Sequence, residues 1–150
     1  MGVAGVEAWS VMDERRAGST PADASLFRYE RELQNAIRKQ LDLVEPGLVE
    51  ADGGRERSVA TGKIDIVARD QAGHYVVIEL KAGPCPHGAL EQVLAYSSDL
   101  EAETGIPCRA ILVASQFSQR IRAAAKRVRD ISLVTYELQR GFAEAPPRRR

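Results

Sequence analysis

Two cysteines, Cys85 and Cys108, are all that the 150 residues contain. Their spacing fits neither a metal knuckle nor a disulfide framework. Both are expected to stay reduced in a cytoplasmic chain, with Cys108 buried in a strand. No apolar run approaches the ~20 residues that cross a bilayer, so no membrane segment is expected. The N-terminus has no basic stretch leading into an apolar one, and no secretory signal is expected either. Net charge is also missing, since 21 Lys and Arg match 21 Asp and Glu. The match is uneven along the chain: from Ser115 onward nine basic residues face three acidic ones. That run suits a polyanion footprint and a solvated helix face with a charged tail equally well. Gly53-Gly54 is a turn signal and not a phosphate loop, because no Gly-Lys-Ser/Thr follows it. No internal repeat is present.

What remains is the composition of one globular domain, 44% hydrophobic and 28% charged, long enough to bury a core. The chain is centred on Gly62 to Lys81, which reads G-K-I-D-I-V-A-R-D-Q-A-G-H-Y-V-V-I-E-L-K. Two apolar runs flank the turn formers Asp70-Gln71-Ala72-Gly73, so the stretch reads as a hairpin. Asp65 lies in the first run, and Glu79 and Lys81 lie in the second. Side chains on a strand alternate faces, which aims Glu79 and Lys81 the same way. Asp65 joins them if the hairpin register allows. A carboxylate in a buried strand is costly unless it is paired or bound to a metal. Two such acids and an ammonium at one sheet edge suggest a hard-cation site with a positioned base or electrophile.

Around this centre the periodicities predict further elements. A helix from Ser25 to Leu43 carries Leu33, Ile37 and Leu41 at helical spacing and ends at Pro46-Gly47. Glu30 lies on or beside its apolar stripe, where spacing alone favours an acid that complements the helix dipole. Short strands flank the turn at Asp52-Gly53-Gly54. After the Gly/Pro loop of residues 82–87, a helix from Gly88 to Glu103 places Gln92 and Tyr96 four apart on one face. Each is equally at home in a bland role, Gln92 in solvent and Tyr96 in the core margin. Cys108 to Ala114 is a continuous apolar strand of the kind buried on both faces. Ser115 to Arg129 reads as a helix and Ile131 to Tyr136 as the last strand. Residues 1–25 form an N-terminal arm or a short helix marked by Val3, Val6 and Trp9, with a linker at Gly18-Ser19-Thr20-Pro21. Residues 26–138 form the domain, and residues 139–150 a basic, flexible tail. The order α-β-β-β-α-β-α-β makes an α/β fold with one mixed central sheet flanked by helices.

The helix with Glu30, then Gly62-Lys63-Ile64-Asp65, then Ile78-Glu79-Leu80-Lys81, then Gln92-x-x-x-Tyr96, resembles the PD-(D/E)XK nuclease superfamily. Within it the chain is similar to the catalytic, C-terminal domain of the NucS/EndoMS endonucleases, from about Tyr29 to Tyr136. The resemblance implies a restriction-endonuclease-like fold and metal-dependent hydrolysis of phosphodiester bonds in DNA. It implies that Asp65, Glu79 and the backbone carbonyl of Leu80 hold Mg2+ or Mn2+. Lys81 would orient the attacking water or neutralise transition-state charge, Glu30 would complete the site, and Gln92 and Tyr96 would position water, metal shell or phosphate. The implied partner is DNA, whether single-stranded, branched or mismatched, met by a homodimer or with a separate targeting subunit. The N-terminal DNA-binding and dimerising domain of those endonucleases does not fit within this chain. Ala82 stands where a basic residue is more typical of them. The alternative is a non-catalytic nucleic-acid-binding or regulatory module that keeps the nuclease fold.

Overall fold

The computed structural model describes residues 8–12, 23–54 and 56–139. In chain order the elements are β1 (Ala8–Met12), α1 (Asp23–Lys39), α2 (Leu41–Val44), β2 (Val49–Glu50), a 3-10 turn (Asp52–Gly54), β3 (Arg57–Val59), β4 (Gly62–Ile64), β5 (Ile66–Arg69), β6 (Tyr75–Leu80), α3 (Ala89–Thr104), β7 (Cys108–Ala114), α4 (Gln119–Ala125) and β8 (Ile131–Gln139). Six strands make one sheet in the order β1-β8-β7-β6-β5-β2, and β3 and β4 make a separate two-stranded sheet. β6, β7 and β8 run parallel, joined through α3 and α4. β2, β5 and β1 are antiparallel to their neighbours. This is the mixed sheet flanked by helices of a restriction-endonuclease-like fold.

The pleat sorts the core into two layers. Ile66, Ala68, Val76, Ile78, Leu80, Ile111 and Val113 pack with Leu33, Ile37, Leu41 and Val44 of α1 and α2. Val67, Tyr75, Val77, Ala110, Leu112 and Ala114 pack with Ala89, Val93, Tyr96 and Leu100 of α3 and with Ile121 of α4. β6 and β7 are therefore covered on both sides, which is why their sequences are nearly continuous apolar runs. Full burial of each such aliphatic side chain contributes roughly 1.5–3 kcal/mol. At the end where β6 and β7 begin, the Arg109 guanidinium grips both Glu45 after α2 and Asp70 in the β5–β6 turn. No helix among the described residues is long and apolar enough to cross a membrane.

Four sequence expectations need revision. Trp9 belongs to an edge strand and not to a short helix: β1 pairs along its whole length with β8. Its pairing partner lies 129 residues away in the chain (Trp9 with Leu138), so local periodicity could not reveal it. Val3, Val6, the linker at residues 18–21 and the tail from residue 140 lie outside the described residues. The single strand read through Ile64–Ala68 is two strands in two sheets, broken at Asp65. The helix read from Ser25 to Leu43 breaks at Gln40 into α1 and the single turn α2. The helix read from Ser115 to Arg129 is only Gln119–Ala125, capped by the Ser118 side chain on the Ile121 amide. Ile121 alone in it reaches the core, and Val128 is 36% exposed, so nothing apolar holds another helical turn.

Candidate active site

β6 supplies the site at its C-terminal end. Glu79 shares the parity of Tyr75 and Val77 and so enters the α3 side of the sheet, where it is only 5% exposed. Lys81 follows one pleat on, and its amide extends the ladder by donating to the Val113 carbonyl at 2.9 Å. Its Nζ stands 3.4 Å from Glu79 Oε2. The other oxygen, Glu79 Oε1, is buried and has no hydrogen-bond donor.

Asp65 arrives from the neighbouring chain segment. The β5–β6 register starts at Ile66 opposite Ile78, which carries Asp65 past the end of the ladder beside Glu79 and Leu80. There its Oδ2 accepts a hydrogen bond from the Leu80 amide at 3.1 Å. The register left open by the sequence thus brings the two acids together. Burial, then the charge of Asp65, pushes the Glu79 carboxyl up to about 8 against the opposing pull of Lys81. Burial also raises Asp65 above the ordinary carboxylate range, partly offset by the Leu80 N–H. Strongly perturbed acids of this kind cluster at functional sites.

The helix α1 braces this end of β6. Glu30 Oε2 accepts from the Ala82 amide at 3.0 Å, fixing the chain just beyond Lys81. Glu30 therefore reaches the site's rim as a tie to the backbone. Gln34 Nε2 and Arg38 Nη2 donate to the Asp65 carbonyl at 3.2 and 2.8 Å. The sequence reading missed both residues. Their signal was the interval of four from Glu30, which stacks residues 30, 34 and 38 along one helix face.

Gln92 and Tyr96 pair with each other instead of with the acids, Gln92 Nε2 donating to the Tyr96 hydroxyl at 3.0 Å. Tyr96 is buried and its ring lies over Gly62, three residues before Asp65. A Cβ added at Gly62 would stand 2.5 Å from the Tyr96 hydroxyl oxygen and 2.7 Å from a ring carbon. Gly62→Ala is therefore expected to lower unfolding stability by about 1–3 kcal/mol, as overpacking does. Urea denaturation checks it, and an unchanged midpoint would mean that the ring swings aside without cost.

The candidate donors brought together at this site are oxygens, the carboxylates of Asp65 and Glu79. Oxygen donors suit hard cations such as Mg2+ or Mn2+. The orphaned Glu79 Oε1 is the observation that fits, because a buried acceptor with no donor is a place for a cation. Among the described residues, no group of three or more His, Cys, Asp or Glu side chains is arranged to hold a metal. A two-carboxylate site is the kind that leaves Mg2+ several waters.

Comparison with known proteins identifies the family. The family model described as the endonuclease NucS C-terminal domain matches residues 29–143. Endonuclease NucS of Methanopyrus kandleri is 35% identical over 98 residues, 65% of this chain and 37% of that protein. Endonuclease NucS of Thermococcus kodakarensis is 33% identical over 106 residues, 71% of this chain and 40% of that protein. The solved "Structure of EndoMS-dsDNA2 complex" superposes with a TM-score of 0.60 at 26% identity, covering 92% of this chain and half of that one (50%). The chain thus spans less than half the length of the two curated relatives.

Proposed function

Because the chain belongs to the family of the endonuclease NucS C-terminal domain, we propose that it is a metal-dependent endonuclease hydrolysing phosphodiester bonds in DNA. The observation that carries the reading is the buried, donor-less Oε1 of Glu79, in a carboxyl group whose other oxygen faces Lys81 and which feels the charge of Asp65. Asp65, Glu79 and the Leu80 carbonyl would hold Mg2+ or Mn2+. A bound ion would supply Lewis acidity toward a phosphoryl oxygen and would acidify a water. Lys81, whose ammonium stands 3.4 Å from Glu79 Oε2, would offset the charge that grows on the phosphorane. Glu30 keeps the Lys81–Ala82 backbone in place through the Ala82 amide. Gln92 and Tyr96 act at one remove, seating β4 so that the chain bends at Asp65. A relative solved with double-stranded DNA supports DNA as the partner, and single-stranded, branched and mismatched forms are the candidates that the test below separates. A homodimer or a separate targeting subunit supplies the remaining DNA contacts.

The test is cleavage of single-stranded, duplex, branched and mismatched DNA with Mg2+, Mn2+ or EDTA, for wild type and Asp65→Ala. Cutting is expected with metal alone, and Asp65→Ala is expected to reduce it ~10³-fold or more, the scale on which a lost metal ligand or charge stabiliser acts. Cutting that persists in EDTA, or a wild type inert on every substrate while still binding DNA, overturns the reading in favour of a binding module.

A further inference from the structure

We infer that Gln34 and Arg38 are positioning residues that hold the backbone at Asp65, so that its carboxylate stays turned toward Leu80 and Glu79. The kinetic consequence rests on the nuclease reading above, whereas the geometric claim does not.

Asp65 sits where the chain leaves the six-stranded sheet for the β3–β4 sheet. The β5–β6 ladder begins only at Ile66, so the Asp65 carbonyl has no strand partner there, and a half-buried carbonyl needs a donor. It receives two, the Gln34 amide at 3.2 Å and the Arg38 guanidinium at 2.8 Å. On its other side Arg38 lies beside an acid, its Nε 3.0 Å from Glu50 Oε2 on β2, the strand paired with β5, a charge contact without hydrogen-bond alignment. The helix that carries both donors is anchored in the core by Leu33 and Ile37. A carbonyl clamped from a fixed helix leaves the Asp65 Cα–Cβ direction little freedom. That direction decides whether Oδ2 meets the Leu80 amide. Both donors bond the main-chain carbonyl of the residue whose carboxylate they orient, in the way that outer-sphere partners orient metal ligands.

The experiment compares Arg38→Ala, Arg38→Lys and Gln34→Ala with wild type, and with Ile121→Val, a core truncation under α4 that lowers stability away from the site. Thermal midpoints establish folding. Two readouts follow in each: hydrogen exchange at the Leu80 amide in metal-free protein, and Mn2+ affinity from electron paramagnetic resonance. Arg38→Ala is expected to speed Leu80 exchange and weaken Mn2+ roughly 10-fold or more, the span seen for outer-sphere changes. Arg38→Lys, which still offers one donor, recovers part of both, and Ile121→Val changes neither beyond its global loss of stability. Where cleavage is measurable, kcat falls in Arg38→Ala with KM for DNA little changed. Folded Arg38 and Gln34 variants with wild-type Leu80 exchange and wild-type Mn2+ affinity overturn the inference. If Arg38→Ala does not fold, Arg38→Lys and Gln34→Ala decide by the same readouts. A wild type that neither cuts DNA nor binds Mn2+ sinks the nuclease reading alone, and the Leu80 amide still decides the positioning role.

Discussion

Glu79→Gln is expected to make the metal-free protein more stable at pH 8.5 and at the same time to abolish metal-supported cleavage. In the folded chain Glu79 titrates at about 8, driven first by burial and then by the neighbouring charge of Asp65. In the unfolded chain it titrates near its ordinary value of 4.5. Between those two values the folded state holds a proton that the unfolded state has released. Stability therefore falls as pH rises through that window and levels off above it. The loss is on the order of 5 kcal/mol for one such buried group, and the rise of Asp65 acts in the same direction. Glutamine carries no charge at any of these pH values, so the variant's curve is flatter. The two proteins are expected to agree within about 1 kcal/mol near pH 5 and to differ by roughly 4–5 kcal/mol at pH 8.5. Denaturant midpoints at pH 5, 7 and 8.5 measure the difference. Mg2+ separates the proteins further, because cation and proton compete for Glu79. Wild type gains stability from Mg2+ most at high pH, and the variant gains almost none. A wild-type advantage at pH 8.5 without metal would refute this account of the site.

The same energetics explain what was legible in the sequence. Acids inside an apolar run are rare because they are costly, so Asp65 and Glu79 stood out at once against Ile64, Ile66, Ile78 and Leu80. The parity of Glu79 and Lys81 needed only the period of a strand, and β7 could be read to the residue from an apolar run interrupted only by Arg109. The break at Asp65 could not be read. Its neighbours Ile64 and Ile66 are both fully buried, each in a different sheet, so the apolar pattern runs through the bend unbroken. Gln34 and Arg38 were hidden for a different reason. Their partner is a main-chain oxygen, and no side-chain pattern announces a carbonyl that has left its ladder. β1 was hidden by distance along the chain, and α4 looked long because alanine and arginine favour helix wherever packing does not decide.

Lys81→Met is expected to lower kcat for DNA cleavage by about 10²–10³-fold while leaving DNA affinity within about 3-fold. The Lys81 side chain is 21% exposed and its ammonium faces Glu79 Oε2 at 3.4 Å. Methionine keeps the unbranched stem that packs at the end of β6 and removes only the charge. Two effects then follow from one deletion. The developing phosphorane loses a positioned cation, which lowers the rate at saturating metal. Glu79, already raised by burial and by Asp65, also loses the one neighbour that lowers it. Its carboxyl holds its proton to higher pH, so half-saturation with Mn2+ at a given pH needs more metal, and the pH–rate profile moves upward. Single-turnover rates against pH at two Mn2+ concentrations separate these terms. Raising pH and metal together recovers the second effect and leaves the first. Arginine is not expected to rescue, because its wide planar fork does not reproduce a compact ammonium beside a buried carboxylate. Equal losses in kcat and in DNA affinity would instead make Lys81 a substrate-binding residue, and an unchanged rate would remove it from the chemistry altogether.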